Sequence, residues 1–211
     1  MAPGRKPTRS REEFVGAAIT FADEHGISAL TLRSLGQSMG AATTAVYRYF
    51  ENKDDLIVAM REVLLTQAIP DTVDGDARAR LTAFALSFRA TVKAHPCLSQ
   101  IMGLAAVEGE ATNGAVQATV SALADLGLTG PLLVRGHRQL ESFVVGTCAF
   151  DFSDAPRHLD ERLARMSRTG FPEFTSEVND AAAVETNNEL AFVTSLTWLI
   201  DGLIAEAKRN S

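Results

Sequence analysis

The sequence predicts an all-α protein, with an N-terminal three-helix unit that contains a helix-turn-helix and a larger helical domain after it. Three observations lead there. Apolar residues recur at helical spacing in segment after segment, and no convincing strand pattern interrupts them. Gly or Pro stands between most of the later segments (Pro96, Gly109, Gly127, Gly130, Pro131), where helices end. Residues 31–53, TLRSLGQSMGAATTAVYRYFENK, set two short helical segments around a glycine. With 46% hydrophobic and 22% charged residues, the 211-residue chain has the composition of a folded globular protein, which excludes disorder for most of it.

The N-terminal segment GRKPTRS (4–10) has three cations and no apolar anchor, so it reads as a mobile arm. Ser10 and Glu13 fit the S-x-x-E capping box, which starts a first helix over 11–25, with Phe14, Ala17, Ala18, Phe21 and Ala22 in one stripe. Thr31 caps a second helix over 32–39, which Gly40 ends in a left-handed conformation. Thr43–Phe50 forms the third, with Val46 and Phe50 inward. Asn52 caps a fourth over 53–68, with Leu56, Met60, Val63 and Leu64 on one face. Further helices are expected over about 76–94, 97–108, 113–126, 131–152 and 184–208, and residues 153–175 read as a loop holding a short helix.

Charge is unevenly placed. Residues 1–53 hold seven cations against five acids, a net +2, whereas the remainder holds 13 cations and 21 acids, a net −8. A cationic end on an acidic body suits local binding to a polyanion. If 43–50 is a recognition helix, Thr43, Thr44, Ala45, Tyr47, Arg48 and Tyr49 point outward. Threonine can bond a base edge or touch a thymine methyl, Ala45 permits close approach, and Arg48 can reach guanine or phosphate. Tyrosine hydroxyls and Lys53 would grip the backbone. Lys53 opposes its helix dipole, a cost that a phosphate at that helix end would offset.

This region, TLRSLGQSMGAATTAVYRYFENKDDL, resembles the DNA-binding region of the TetR family of transcriptional regulators, over about residues 10–60. FVTSLTWLIDGLIAEA (192–207) is similar, more weakly, to the end of many family members. The resemblance implies an Ω-shaped homodimer whose residues 1–53 bind DNA and whose residues 54–211 dimerise and bind a small inducer. By position, it implies that Arg33, Thr43, Thr44, Ala45 and Arg48 contact bases or nearby backbone, and that Tyr47, Tyr49 and Lys53 contact phosphate. Ala42 stands where a Ser cap is common, so Thr43 is expected as the cap. Gly36 stands where Ala is usual, which should loosen the second helix.

A lone helix-turn-helix touches little DNA, so a two-fold dimer on a palindromic operator is expected. Segments 131–152 and 187–208 carry more apolar residues than one buried stripe requires and are the expected dimer helices. The effector pocket is expected among the helices between them and the DNA-binding unit, lined by Phe84, Phe88, Leu98, Met102, Phe143 and Thr147, with His137 or Glu141 as polar anchors. That apolar lining suits a hydrophobic or aromatic effector, and the net −8 of the larger domain leaves cationic compounds open. His95 before Pro96 reads as a helix boundary, and His158 lies in the 153–175 linker.

No Gly-rich phosphate loop, H-E-x-x-H, nucleophile elbow or His/Cys cluster is present, so no catalytic residue, metal or cofactor is expected. Cys97 and Cys148 have neither metal nor redox spacing and read as small core hydrophobes. The start of the chain lacks a secretory apolar stretch and no uncharged apolar run of about 18 residues occurs, which points to a cytoplasmic protein without a membrane partner. The function expected is a homodimeric repressor released from DNA by its effector. A corepressor-dependent regulator, an activator, or a helical adaptor binding proteins through its N-terminal unit are the alternatives.

Overall fold

A computed structural model describes residues 9–70, 75–104, 109–152, 168, 170 and 181–209, with side chains from 185 in the last segment. The described residues form nine α-helices and no strand: α1 (Arg11–His25), α2 (Leu32–Ser38), α3 (Thr43–Val46), α4 (Lys53–Ala68), α5 (Ala77–Ala94), α6 (Cys97–Met102), α7 (Glu110–Asp125), α8 (Gly130–Phe152) and α9 (Ala181–Arg209). Arg5 and Lys6 of the arm, and nearly all of the 153–175 linker including His158, lie outside the described residues.

Local signals set the N-terminal starts. Ser10 Oγ accepts from Glu13 N while Glu13 accepts from Ser10 N at 2.6 Å, a complete capping box. Thr31 makes a second box with Ser34, and Asn52 Oδ1 accepts from Asp55 N at 3.0 Å. Gly40 takes φ 61°, where a β-carbon would be strained. Phe14, Leu30, Leu35, Val46 and Phe50 are sealed from solvent between α1, α2 and α3. Each such side chain contributes about 1.5–3 kcal/mol.

Two helices are shorter than expected. α3 is a single turn, and 47–49 continue as turns; the expected helix over 43–50 is corrected to that extent. Its N-cap is Ala42, which has no side chain to accept an N–H, so Thr43 is the first helical residue and not the cap. Two adjacent β-branched threonines add little helix propensity to hold a second turn. α6 stops at Met102 and not at 108. Gly36 is buried, and a β-carbon there would lie 3.3 Å from the Ala41 carbonyl and 3.4 Å from Val46, so the glycine lets α2 and α3 approach closely. Val63, expected inward on α4, is 40% exposed.

α4 joins the two halves of the molecule, packing on α1 and also on α5, α6 and α7. A second tie runs between α1 and α6. Asp23 accepts from Cys97 N at 3.1 Å and faces His95 Nδ1 at 2.8 Å, and Gln100 Oε1 accepts from Ile27 N at 3.3 Å. His95 is the C-cap of α5, the boundary the sequence suggested. In the larger half, α5, α7 and α8 pack on one another, and α9 covers α8 and α5 with Phe192, Leu196, Ile200 and Leu203 buried. Residues 185–209 of α9 are long and apolar enough to cross a membrane, but these buried side chains fill the core of this domain.

Candidate nucleic-acid face and ligand cavity

On the helix-turn-helix, Thr44, Tyr47 and Arg48 are exposed, and Tyr47 keeps 57% of its surface in solvent. Arg33 is exposed on α2. Thr43 and Ala45 are half-buried, and Ala45 packs on the core. The other two expected contacts have internal partners. Tyr49 donates its hydroxyl to the Arg9 carbonyl at 3.0 Å, with its ring centroid 5.8 Å from that of Phe14. Lys53 donates Nζ to the Ile27 carbonyl at 2.6 Å, placing its ammonium on the turn after α1. Arg9 donates to the Met39 carbonyl at 2.6 Å, so the base of the arm is tied to the end of α2.

The larger half holds a mainly apolar cavity walled by five helices. α4 gives Arg61 and Leu65, α5 gives Phe84 and Phe88, and α6 gives Met102. α7 gives Thr112, Ala115, Val116 and Thr119, and α8 gives His137, Leu140, Glu141, Val144 and Val145. Phe84, Phe88, Met102, His137 and Glu141 were expected there. Leu98, Phe143 and Thr147 do not line it. Leu98 is fully enclosed in the core, Phe143 stacks on Phe192 of α9 with centroids 5.4 Å apart, and Thr147 donates to the Phe143 carbonyl at 2.6 Å. At 3.6 residues per turn, 143 and 147 sit roughly 100° round α8 from the 137–140–141–144 stripe.

Arg61, Thr112 and Thr119 are the polar lining residues that sequence reasoning missed. Arg61 had a readable signal, since it stands at i+4 from Ile57 and i−4 from Leu65 on the inward line of α4. It is 8% exposed, and burial lowers its pKa against the opposing pull of Glu62 and Glu141. Glu62 itself turns to α7, accepting from Ala111 N at 2.7 Å, Thr112 N at 3.3 Å and Thr112 Oγ1 at 3.0 Å. It thereby caps a helix whose N-cap, Gly109, has no side chain. A β-carbon on Gly109 would come within 2.0 Å of the Glu62 carboxylate. Glu141 accepts from Arg138 at 2.9 Å. Thr119 Oγ1 lies 3.2 Å from His137 Nδ1.

Both cysteines are buried free thiols; burial pushes Cys148 up to about 11 and Cys97 higher still, so neither is a nucleophile near neutrality. Among the described residues no cluster of His, Cys, Asp or Glu could hold a metal ion.

Residues 14–60 match the family model for bacterial regulatory proteins of the tetR family, and residues 69–207 match the tetracyclin repressor-like C-terminal domain. The chain belongs to the TetR family. Proteins of the TetR family are DNA-binding transcription factors that dimerise and bind small molecules. The HTH-type transcriptional repressor DrrR1 of Streptomyces coeruleorubidus is 30% identical over 145 residues, covering 68% of this chain and 54% of DrrR1. The chain thus spans about half the length of the curated relatives it matches. Among solved structures, a possible TetR family regulator from Streptomyces coelicolor A3(2) is 26% identical, with a TM-score of 0.76 over 93% of this chain and 99% of that one. ActR of Streptomyces coelicolor in complex with actinorhodin, 22% identical, superposes over the whole of both chains with a TM-score of 0.74 and shows the same fold.

Proposed function

We propose that the chain is a homodimeric, sequence-specific transcriptional repressor of the cytoplasm, released from a palindromic operator by a hydrophobic or aromatic small molecule. Residues 1–53 form the DNA-binding unit and 54–211 the effector-binding and dimerisation unit. The observation that carries this reading is a single helix, α4, that begins at the helix-turn-helix with Lys53 and walls the cavity with Arg61 and Leu65. Thr44, Tyr47, Arg48 and Arg33 meet the operator directly. Thr43 and Ala45 set how closely α3 enters the groove. Tyr49 and Lys53 hold the local frame and meet phosphate at its edge.

An effector shifts the equilibrium between DNA-competent and released arrangements only by its differential affinity for them. The cavity supplies that difference, because its walls come from five helices whose relative positions set the spacing of the two recognition units. The repressor role of DrrR1 and the actinorhodin bound to ActR support the two halves of the proposal.

The test is selection of bound fragments from a random DNA library at roughly physiological salt, with wild type, Arg48→Ala and Tyr47→Ala proteins side by side. Wild type enriches a palindrome, and each variant binds it more weakly, by about 1–3 kcal/mol where a base contact is lost. Unchanged affinity in both variants would defeat the assignment of this face.

A further inference from the structure

We infer that the first half of α7, residues 110–118, is the lid of the cavity, that Glu62 of α4 is the latch that holds it shut, and that small molecules enter when this half frays from its start. How the cavity is reached is independent of which molecule it takes and of how the protein meets DNA.

α7 has two unlike halves. Ala122 and Leu123 are sealed in the core and Thr119 is 5% exposed, so packing anchors the second half. From 112 to 118 no side chain is buried, and Val116, the one large apolar residue there, keeps 43% of its surface in solvent. Gly114 lies inside this half, and glycine holds a helix less firmly than any residue except proline. A helix start with so few buried apolar contacts belongs to the part of a fold that opens most readily.

Glu62 holds this weak half from outside. Its carboxylate accepts from Ala111 N, Thr112 N and Thr112 Oγ1, while the N-cap of α7, Gly109, offers no side-chain bond. A carboxylate at that end also meets the positive pole of the helix dipole. Glu62 follows Arg61, which lines the cavity, so latch and cavity wall share one turn of α4.

The same half stands between the cavity and the surface. Thr112, Ala115, Val116 and Thr119 line the cavity, whereas Gly114, Gln117, Ala118 and Ser121, all exposed, line a surface groove beside α5. Phe84 and Thr119 line both, so cavity and groove lie back to back across these two side chains. Fraying of 110–118 removes the partition, and the packing of Thr119, Ala122 and Leu123 keeps the rest of α7 in place.

The test puts a thiol inside the cavity of the full chain with Val144→Cys and times its alkylation by N-ethylmaleimide. Val144 lines the cavity and is 3% exposed. The native Cys97 and Cys148, 1% and 0% exposed, report global unfolding in the same molecule, and peptide mass spectrometry separates the three sites. Adding Glu62→Ala should speed alkylation of the introduced thiol about fivefold or more, the effect of losing a helix cap. Gly109→Ala should do the same, because its β-carbon would come within 2.0 Å of the Glu62 carboxylate and push the latch aside. Glu62→Gln, still an acceptor, should stay near the parent rate. Gly114→Ala, whose β-carbon meets only Ile69 at 3.7 Å, should slow the reaction about fivefold, the factor carried by ~1 kcal/mol of helix propensity. One rate in all these proteins would overturn the lid, and so would a rate that rises only in step with Cys97 and Cys148. Amide exchange of the unaltered protein is the second measurement. Amides of 114–118 should exchange about tenfold or more faster than those of 122–125, and equal protection of the two halves would overturn the lid as well.

Discussion

Arg89 shows what one residue can hold together. It is 3% exposed, yet it carries a full charge between the rings of Phe152 and Phe192, at 4.8 and 4.5 Å from their centroids. It donates to Asp151 at 2.8 Å and to Glu189 at 3.0 Å. Burial alone would lower its pKa, and the bonds to Glu189 and Asp151 outweigh burial and raise it. The group thus ties α5 to α8 and α9 with charge-assisted bonds and cation–π contacts. Arg89→Ala takes away the cation that faces a buried carboxylate, and should cost about 3–5 kcal/mol of stability in urea unfolding. A loss under about 1 kcal/mol would mean that the carboxylates relax to water and that the network holds nothing. The sequence offered no hint of it, because its members lie 62 and 100 residues apart. The exposed side chains Tyr47 and Arg48 were legible for the opposite reason. Their neighbours in sequence, Val46 and Phe50, are committed to the core, which leaves them no inward direction.

At the scale of elements, what could be read was whatever local rules decide. Ser10 with Glu13, Thr31, and Asn52 each start a helix within one turn of themselves, and α1, α2 and α4 begin where these residues stand. Helix ends and cavity walls depend instead on what another helix brings. The phosphate expectation for Lys53 came from its own surroundings, which could not show that its ammonium also bonds the Ile27 carbonyl, 26 residues away. α7 illustrates the same point, since its cap comes from Glu62 on α4. Glu62→Ala should therefore cost about 1–2 kcal/mol, the scale of a lost helix cap. It should also speed hydrogen exchange at the amides of Ala111 and Thr112, while Glu62→Gln, still an acceptor, preserves most of their protection. Unchanged exchange at those two amides in the alanine variant would show that α7 starts without help from α4. The consequence reaches the ligand site, because Thr112 belongs to the turn that Glu62 fixes.

At the scale of the whole molecule, large apolar side chains stand exposed among the described residues. Trp198 is 70% exposed, Val134 69%, Phe150 64% and Leu190 60%, all on α8 and α9, which the sequence marked by their excess of apolar residues. On α9, Phe192, Leu196, Ile200 and Leu203 are buried while Leu190, Val193 and Trp198 face out, so the helix has two apolar sides with one partner domain. Four such helices, two from each copy, would bury the outer side in a bundle around a two-fold axis. A dimer of this kind sets the distance between two helix-turn-helix units, which must approach one DNA turn, roughly 34 Å, for both to enter adjacent major grooves. On the proposed function, cavity, dimer and operator would form one equilibrium, because a helix that shifts to hold a ligand would also shift that distance. The double substitution Val193→Arg/Trp198→Arg places cations on the outer side alone. Light scattering at micromolar concentration should find wild type as a dimer and the variant as a folded monomer, with helical content kept and operator binding lost. A variant that stays dimeric would place the interface elsewhere. A folded monomer that kept full operator affinity would break the link between dimer geometry and DNA recognition.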